Sequence, residues 1–214
     1  MYLPTHFDHS VDAAALNALI ARDPFITLVS QHDGAPLVSH LPVLAHREKS
    51  GDSTGLRLRG HWARANPQWR SIVGQTVLAI VHGPHAYVSP RWYPDPLRAV
   101  PTWNYAAAHL YGRLRLIEDE AELTALVSAL AQQFEPDAAP WRLADTEPVA
   151  QRMVVGIVGF EMTVTRIELK LKLSQNHLPG RIQGAIAGLR AEGGAAGDEV
   201  AAMMAAAFAQ RPAG

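Results

Sequence analysis

The longest alternation in this chain runs from Gly159 to Leu173. Phe160, Met162 and Val164 recur at every second position, and Ile167, Leu169, Leu171 and Leu173 do so in the opposite phase. A period of two belongs to a strand, because successive side chains point to opposite faces. The change of phase near Thr165-Arg166 is what a β-bulge produces.

Other segments read the same way. Phe25–Ser30 and Pro36–Leu44 are strands joined by the tight-turn pair Asp33-Gly34. Leu56–Gly60 alternates leucine with arginine. Thr76–Val81 is a buried strand, paired with Ala86–Ser89 across a turn at His82-Gly83-Pro84-His85. Asn104–Ile117 is a long strand. Helices are expected at Ser10–Ala21, capped by Ser10, and from Asn66-Pro67 to about Ile72. Further helices fall at Asp119–Phe134, around Val149–Val154 and in the Ala-rich tail from Pro179, which breaks at Gly193–Gly197. Arg47–Gly55 and Glu135–Pro148 read as loops, and the four-proline stretch Pro90–Thr102 as a long ordered loop or lid. Strands arranged as hairpins rather than in βαβ alternation give a mainly β fold with peripheral helices, an antiparallel barrel of the α+β class.

Composition narrows the function. The 214 residues carry a net charge of −1 and contain no cysteine. Disulfides, iron–sulfur clusters and thiolate chemistry are thereby excluded, and a reducing compartment fits. Near-neutral charge argues against strong sequence-independent affinity for DNA. The N-terminus lacks the pattern of a signal peptide, and no apolar run reaches the ~20 residues of a membrane span, so a cytoplasmic protein that avoids membranes is expected. No Gly-x-Ser-x-Gly elbow, Walker A loop or Rossmann glycine pattern is present. The pairs His6/His9 and His82/His85 lack a third ligand, so no metal is assigned.

Four segments concentrate polar and aromatic residues. Ser39-His40-Leu41-Pro42 lies in a strand, where Pro42 marks an edge or a bulge. His61 to Trp69 is a strand-to-helix corner with Arg64 and Asn66, suited to an anion or simply to a capped helix with Trp69 in the core. Val81 to Tyr105 sets aromatics beside rigid proline loops, as a wall for a planar ligand or as ordinary packing. Glu168-Leu169-Lys170-Leu171-Lys172-Leu173-Ser174-Gln175-Asn176 holds two of the three lysines of the chain, on one strand face that either cradles a phosphate or meets solvent.

Taken in order, these segments resemble one family. Met1-Tyr2 with Pro4 and His6-Phe7, the His61-to-Trp69 run, Gly83-Pro84 with Ala86-Tyr87 and Ser89-Pro90, Trp92-Tyr93, Val100-Pro101-Thr102-Trp103-Asn104-Tyr105 with Gly112, and Lys172-Leu173-Ser174-Gln175-Asn176 are similar to the PaiB family. The likeness covers about residues 1 to 190. It implies an FMN-binding split β-barrel, a homodimer, and either flavin-dependent oxidoreductase chemistry or the negative transcriptional regulation of protease synthesis and sporulation described for the family. A DNA partner follows only from that description. A heme-binding or heme-degrading relative of the same barrel, with His177 as axial ligand, is the alternative.

For FMN the resemblance implies Lys172, Ser174, His61, Asn66 and Arg64 toward the phosphate. It implies Ser39, His40, Leu41, Pro42, Trp103 and Asn104 toward the flavin ring, with Gln175 and Asn176 in support. No residue is assigned as catalytic. Leu169 stands where a glycine or small residue is expected, which would narrow the site. The expected division is a split-barrel domain over 1–176 and a helical extension packed on it over 177–214.

Overall fold

The computed structural model describes residues 1–47, 54–135 and 140–211. Of the expected loops, residues 48–53 and 136–139 lie outside them; the described remainder of the second holds a short 3₁₀ turn, Leu143–Asp145. Seven strands, β1 (Phe25–His32), β2 (Ala35–Pro42), β3 (Leu44–Arg47), β4 (Leu56–Ala63), β5 (Val77–Val88), β6 (Thr102–Ile117) and β7 (Ile157–Lys172), form one sheet in the order β2-β1-β5-β6-β7-β4-β3. The helices are α1 (Ala13–Arg22), α2 (Gln68–Ser71), α3 (Glu120–Phe134), α4 (Pro148–Gln151), α5 (Pro179–Glu192) and α6 (Ala195–Ala209). This is the α+β split-barrel class, mainly β with peripheral helices. Residues cluster into two compact units: Met1–Arg22, His82–Ala108 and Glu168–Gly214 in the first, Asp23–Val81 and His109–Ile167 in the second.

In the second unit β1 and β2 form the expected hairpin, in full register from Phe25↔Pro42 to His32↔Ala35. Asp33 and Gly34 both take positive φ, 49° and 78°, as a type I′ turn requires. β2 ends the sheet, so Pro42 sits in an edge strand, where its missing N–H costs no ladder bond. Trp62 and Phe160 pack with ring centroids 4.7 Å apart in the core. A Cβ on Gly60 would stand 2.8 Å from both the Phe160 ring and the Pro42 carbonyl oxygen. Leu123, Leu126 and Leu130 of α3 pack with Leu44, Ile117 and Val154. Asp119 caps this helix by accepting from Glu122 N at 2.9 Å.

Three expectations are corrected. The two strands expected at Thr76–Val81 and Ala86–Ser89 are one strand, β5. Gly83-Pro84 is not a turn but two successive buried residues that shift the alternation within it. In the first unit a Cβ on Gly83 would lie 2.7 Å from Ala106 and from Leu19, so glycine permits the close approach of β5 to β6 and α1. Ser10 does not cap α1. Asp12 does, accepting from Ala15 N at 2.9 Å, while Ser10 Oγ accepts from Leu169 N at 3.1 Å. The tail breaks at Gly193 and Gly194, both with positive φ, and Gly197 lies inside α6. In β7 the buried apolar positions shift from Phe160, Met162 and Val164 to Leu169 and Leu171 across the exposed Thr165 and Arg166, which is the expected phase shift, and Lys170 between the last two is buried as well.

Candidate functional site: a basic basin in the first unit

A cavity of about 480 Å³ opens in the first unit, within the size range of small-ligand sites. Its floor is the junction of β6 with the end of β7. Asn104 is fully buried, and its Nδ2 donates to Ser174 Oγ at 2.9 Å and approaches Met204 Sδ at 3.2 Å. Ser174 has φ +64°, a left-handed conformation that a non-glycine residue adopts at a cost of about 1 kcal/mol or more. The turn is held by Gln175, whose Oε1 accepts from Leu173 N at 2.7 Å and whose Nε2 donates to Leu171 O at 2.6 Å. This bracing keeps the serine hydroxyl beside Asn104 at the cavity floor.

Lys172 lines the same cavity, half-buried. Its Nζ donates to Thr102 Oγ1 and to Trp103 O at 2.6 Å. Burial, and then the neighbouring Lys170, push its pKa down. The ammonium therefore rests on neutral oxygens. The other charged groups on the lining are Arg98 and Arg181, and no carboxylate is among the described residues there. Arg181 is paired with Asp95. His177 also lines the cavity, its ring tilted against Tyr93 at 5.7 Å. Its pKa is lowered, first by burial and then by Arg181 and Lys172, so the imidazole is neutral at pH 7.

The remaining expected residues divide between the units. Asn176 lines the basin. Trp103 is not on the lining; its carbonyl accepts from Lys172 Nζ, and its half-exposed ring lies 6.1 Å from His85 and 6.0 Å from Tyr87. Leu169 is fully buried and is not on the cavity lining, so it does not narrow the basin. In the second unit Ser39 and Asn66 meet, Asn66 Nδ2 donating to Ser39 Oγ at 3.0 Å. His40 is exposed, with Nδ1 3.1 Å from Thr27 Oγ1. Leu41 is in the core and Pro42 is half-buried. His61 is half-buried with Nδ1 lacking a hydrogen-bond partner, and burial lowers its pKa.

Much of the His61-to-Trp69 run is structural. Arg64 donates to the carbonyls of Val155 (2.7 Å) and Ile157 (2.9 Å) and to Glu118 (3.3 Å), so its donors are committed within the chain. Gln68 is fully buried. Its Nε2 donates to Leu28 O, Ser30 Oγ and Leu37 O, and its Oε1 accepts from Trp62 Nε1 at 2.9 Å. Trp69 is half-buried rather than in the core, donating to Arg64 O at 3.0 Å.

Sequence reasoning missed Thr102, Arg98 and Arg181 on the basin. The signal for Arg181 was present as Gly180, Gly184 and Gly188, a spacing of four along a helix that marks a close approach.

The donor set suits a phosphate-bearing flavin. An ammonium on neutral oxygens, a serine hydroxyl and a buried carboxamide match the acceptors of a phosphate and of a hydroxylated chain. With Arg181 neutralised by Asp95, Lys172 and Arg98 leave two positive charges on the lining. A phosphate monoester carries about −1.5 to −2.

Comparison with known proteins bears on the family and the fold. The model of the family described as "Putative FMN-binding domain" matches residues 1–166. The chain is 34% identical over 179 residues to protease synthase and sporulation protein PAI 2 of Bacillus subtilis, covering 82% of this chain and 83% of that protein. Among solved structures, the flavocytochrome Anf3 of Azotobacter vinelandii superposes with a TM-score of 0.59 at 15% identity, over 77% of this chain and 69% of that one. The FAD and heme binding protein of Mycobacterium smegmatis gives 0.54 at 18% identity, over 75% and 71%. Fold and family match together define a flavin-binding split-barrel protein. The chain belongs to the PaiB-like family of FMN-binding proteins. No helix among the described residues is long and apolar enough to cross a membrane.

Proposed function

We propose that this chain is a flavin-dependent redox protein, working as a cytoplasmic homodimer, that holds the FMN phosphate at Lys172 and Ser174. The single observation behind this is that Lys172 and Arg98 stand on a lining without a carboxylate, where the further cation, Arg181, is already paired with Asp95. Bound FMN would supply the hydride and electron transfer. The residues of the chain supply the rest. Lys172 meets the dianion as a point charge, and Thr102 and the Trp103 carbonyl orient its Nζ. Asn104 fixes the Ser174 hydroxyl. Asn176 adds a carboxamide to the lining. Within the second unit, the Ser39–Asn66 pair and His61, whose Nδ1 is unpartnered, are polar groups with donors and acceptors of their own. The 177–214 segment is an extension of the barrel domain over 1–176.

The test is a titration of the FMN-free protein, followed by flavin fluorescence. Saturable binding of one FMN per subunit is expected, weakened about tenfold or more in Lys172→Ala, the loss of a charge-assisted hydrogen bond. Unchanged affinity in both Lys172→Ala and Ser174→Ala would remove the phosphate assignment. FMN-dependent oxidation of NAD(P)H supports the redox role, and a salt-sensitive shift of promoter DNA would support the regulatory one, as the likeness to the sporulation protein suggests.

A second reading has its own observation. His177 is a neutral, half-buried imidazole on the basin, as an axial heme ligand must be. The two solved relatives named above are a flavocytochrome and a FAD and heme binding protein. A Soret band on addition of hemin, lost in His177→Ala, would favour this reading.

A further inference from the structure

The Pro90–Thr102 stretch, expected as a long ordered loop or lid, supplies one wall of the basin through Leu97, Arg98, Ala99, Val100 and Pro101. It is shaped by two short 3₁₀ turns, Pro90–Trp92 and Pro96–Arg98. Helix α5 holds it in two ways. A Cβ on Gly184 would collide with the Trp92 carbonyl oxygen, and one on Gly188 with the Trp92 indole. A Cβ on Gly180 would stand 3.3 Å from Pro94. Glycine inside a helix costs about 1 kcal/mol against alanine, so these positions trade helix stability for a close seat.

The second hold is polar. Arg181 Nε donates to Asp95 Oδ1 at 2.8 Å, and its NH2 group donates to Asp95 Oδ2 and to the Arg98 carbonyl at 3.2 Å. The same guanidinium lies 5.4 Å from the centre of the Tyr93 ring, which is itself buried. A planar fork satisfied on both prongs, with an aromatic ring beneath it, fixes both the angle and the distance of the loop.

We propose that Arg181 is a positioning residue of the cofactor site: by clamping Asp95 and the Arg98 carbonyl to α5, with Trp92 seated on Gly184 and Gly188, it fixes the Leu97–Pro101 wall at the separation that grips FMN. This rests on the reading of the basin as the FMN site. It makes α5 part of the cofactor-binding apparatus and the proline-rich segment a fixed wall. A preformed wall lowers the ordering cost of binding, and its loss is read mainly as faster release.

Arg181 also lines the basin, so removing it alone does not separate clamp from ligand contact. Asp95→Asn does, because it leaves the arginine charge in place and removes its anchor. The measurement is FMN affinity and release rate for Arg181→Ala, Asp95→Asn and the double variant, with amide hydrogen exchange over residues 95–101 in FMN-free protein. The proposal expects each single variant to bind FMN roughly three- to tenfold more weakly, through release. The double variant should be little worse than either, and exchange should rise in all three. Wild-type affinity and exchange in Asp95→Asn would overturn it. So would weaker binding in Arg181→Ala alone, with tighter binding in Asp95→Asn, which would make Arg181 a direct ligand. Exchange judges the clamp without cofactor. Failure of the basin reading would show separately, as Lys172→Ala binding FMN like the wild type.

Discussion

Replacing Gln68 by leucine tests how the His61-to-Trp69 corner is built. The side chain is fully buried: the two Nε2 hydrogens are shared among Leu28 O at 3.2 Å, Ser30 Oγ at 3.1 Å and Leu37 O at 2.8 Å, and Oε1 accepts from Trp62 Nε1 at 2.9 Å. Leucine is of similar size and leaves little cavity. The cost is then that of the partners left behind. Trp62 is 1% exposed, so its indole N–H would be orphaned in the core at about 1–3 kcal/mol. The two carbonyls lie in paired strands and lose a second bond, at about half a kcal/mol or somewhat more each. Partial recovery from the apolar leucine leaves a net loss of about 2–4 kcal/mol. For a chain of this length that lowers Tm by roughly 5–15 °C. Urea unfolding should show a lower midpoint with an unchanged slope. Trp62→Phe removes the orphaned donor beforehand, so the two substitutions combined should cost less than their separate losses added together. A loss below about 0.5 kcal/mol at constant slope would mean that the network does not hold α2 to β1, β2 and β4.

Two glycines separate conformational strain from collision. Gly34→Ala meets no atom within 4 Å but must keep φ near +78°, so a loss of about 1 kcal/mol is expected. Gly112→Ala would drive a Cβ into the Thr163 carbonyl between β6 and β7, and about 3 kcal/mol or more is expected; equal losses in denaturant titrations would contradict this. His61 gives a pH dependence. Its pKa in the fold is lowered from 6.5 by burial, so on acidification the unfolded chain takes up a proton before the native state does. Stability should therefore be unaffected by this group above the unfolded value and fall as pH drops below it, levelling once the folded pKa is passed. His61→Gln should flatten the urea midpoint between pH 7 and 5 by that share, and an identical slope in both proteins would refute it.

The strands were legible in the sequence because burial on one face writes a period of two directly into the residues. Phe25–His32, Ala35–Pro42 and the phase shift of β7 at Thr165-Arg166 follow that rule. So did the Asp33-Gly34 turn, whose backbone needs those residue types. Gly83-Pro84 misled for a physical reason. The same dipeptide serves a turn or a shifted strand, and only the nearness of Ala106 and Leu19 selects the second. Lys172, Ser174 and Asn104 were legible as donors, but their meeting was not, since Asn104 and Ser174 lie 70 positions apart.

The sequence by itself determined the class of fold, the absence of thiol chemistry and the residue types able to hold a phosphate. Those depend on local periodicity and composition. Tertiary structure alone decided which polar residues are already used. Arg64 looks like a ligand in the sequence and is a staple in the fold, as is its neighbour Gln68, because buried carbonyls and an indole N–H claim their donors and acceptors. Arg98 and Arg181 look like ordinary surface charges and line the basin, because α5 brings the 95–101 wall against the end of β7. A hydrogen bond is decided by which partner is within about 3 Å, and that is a property of the folded chain.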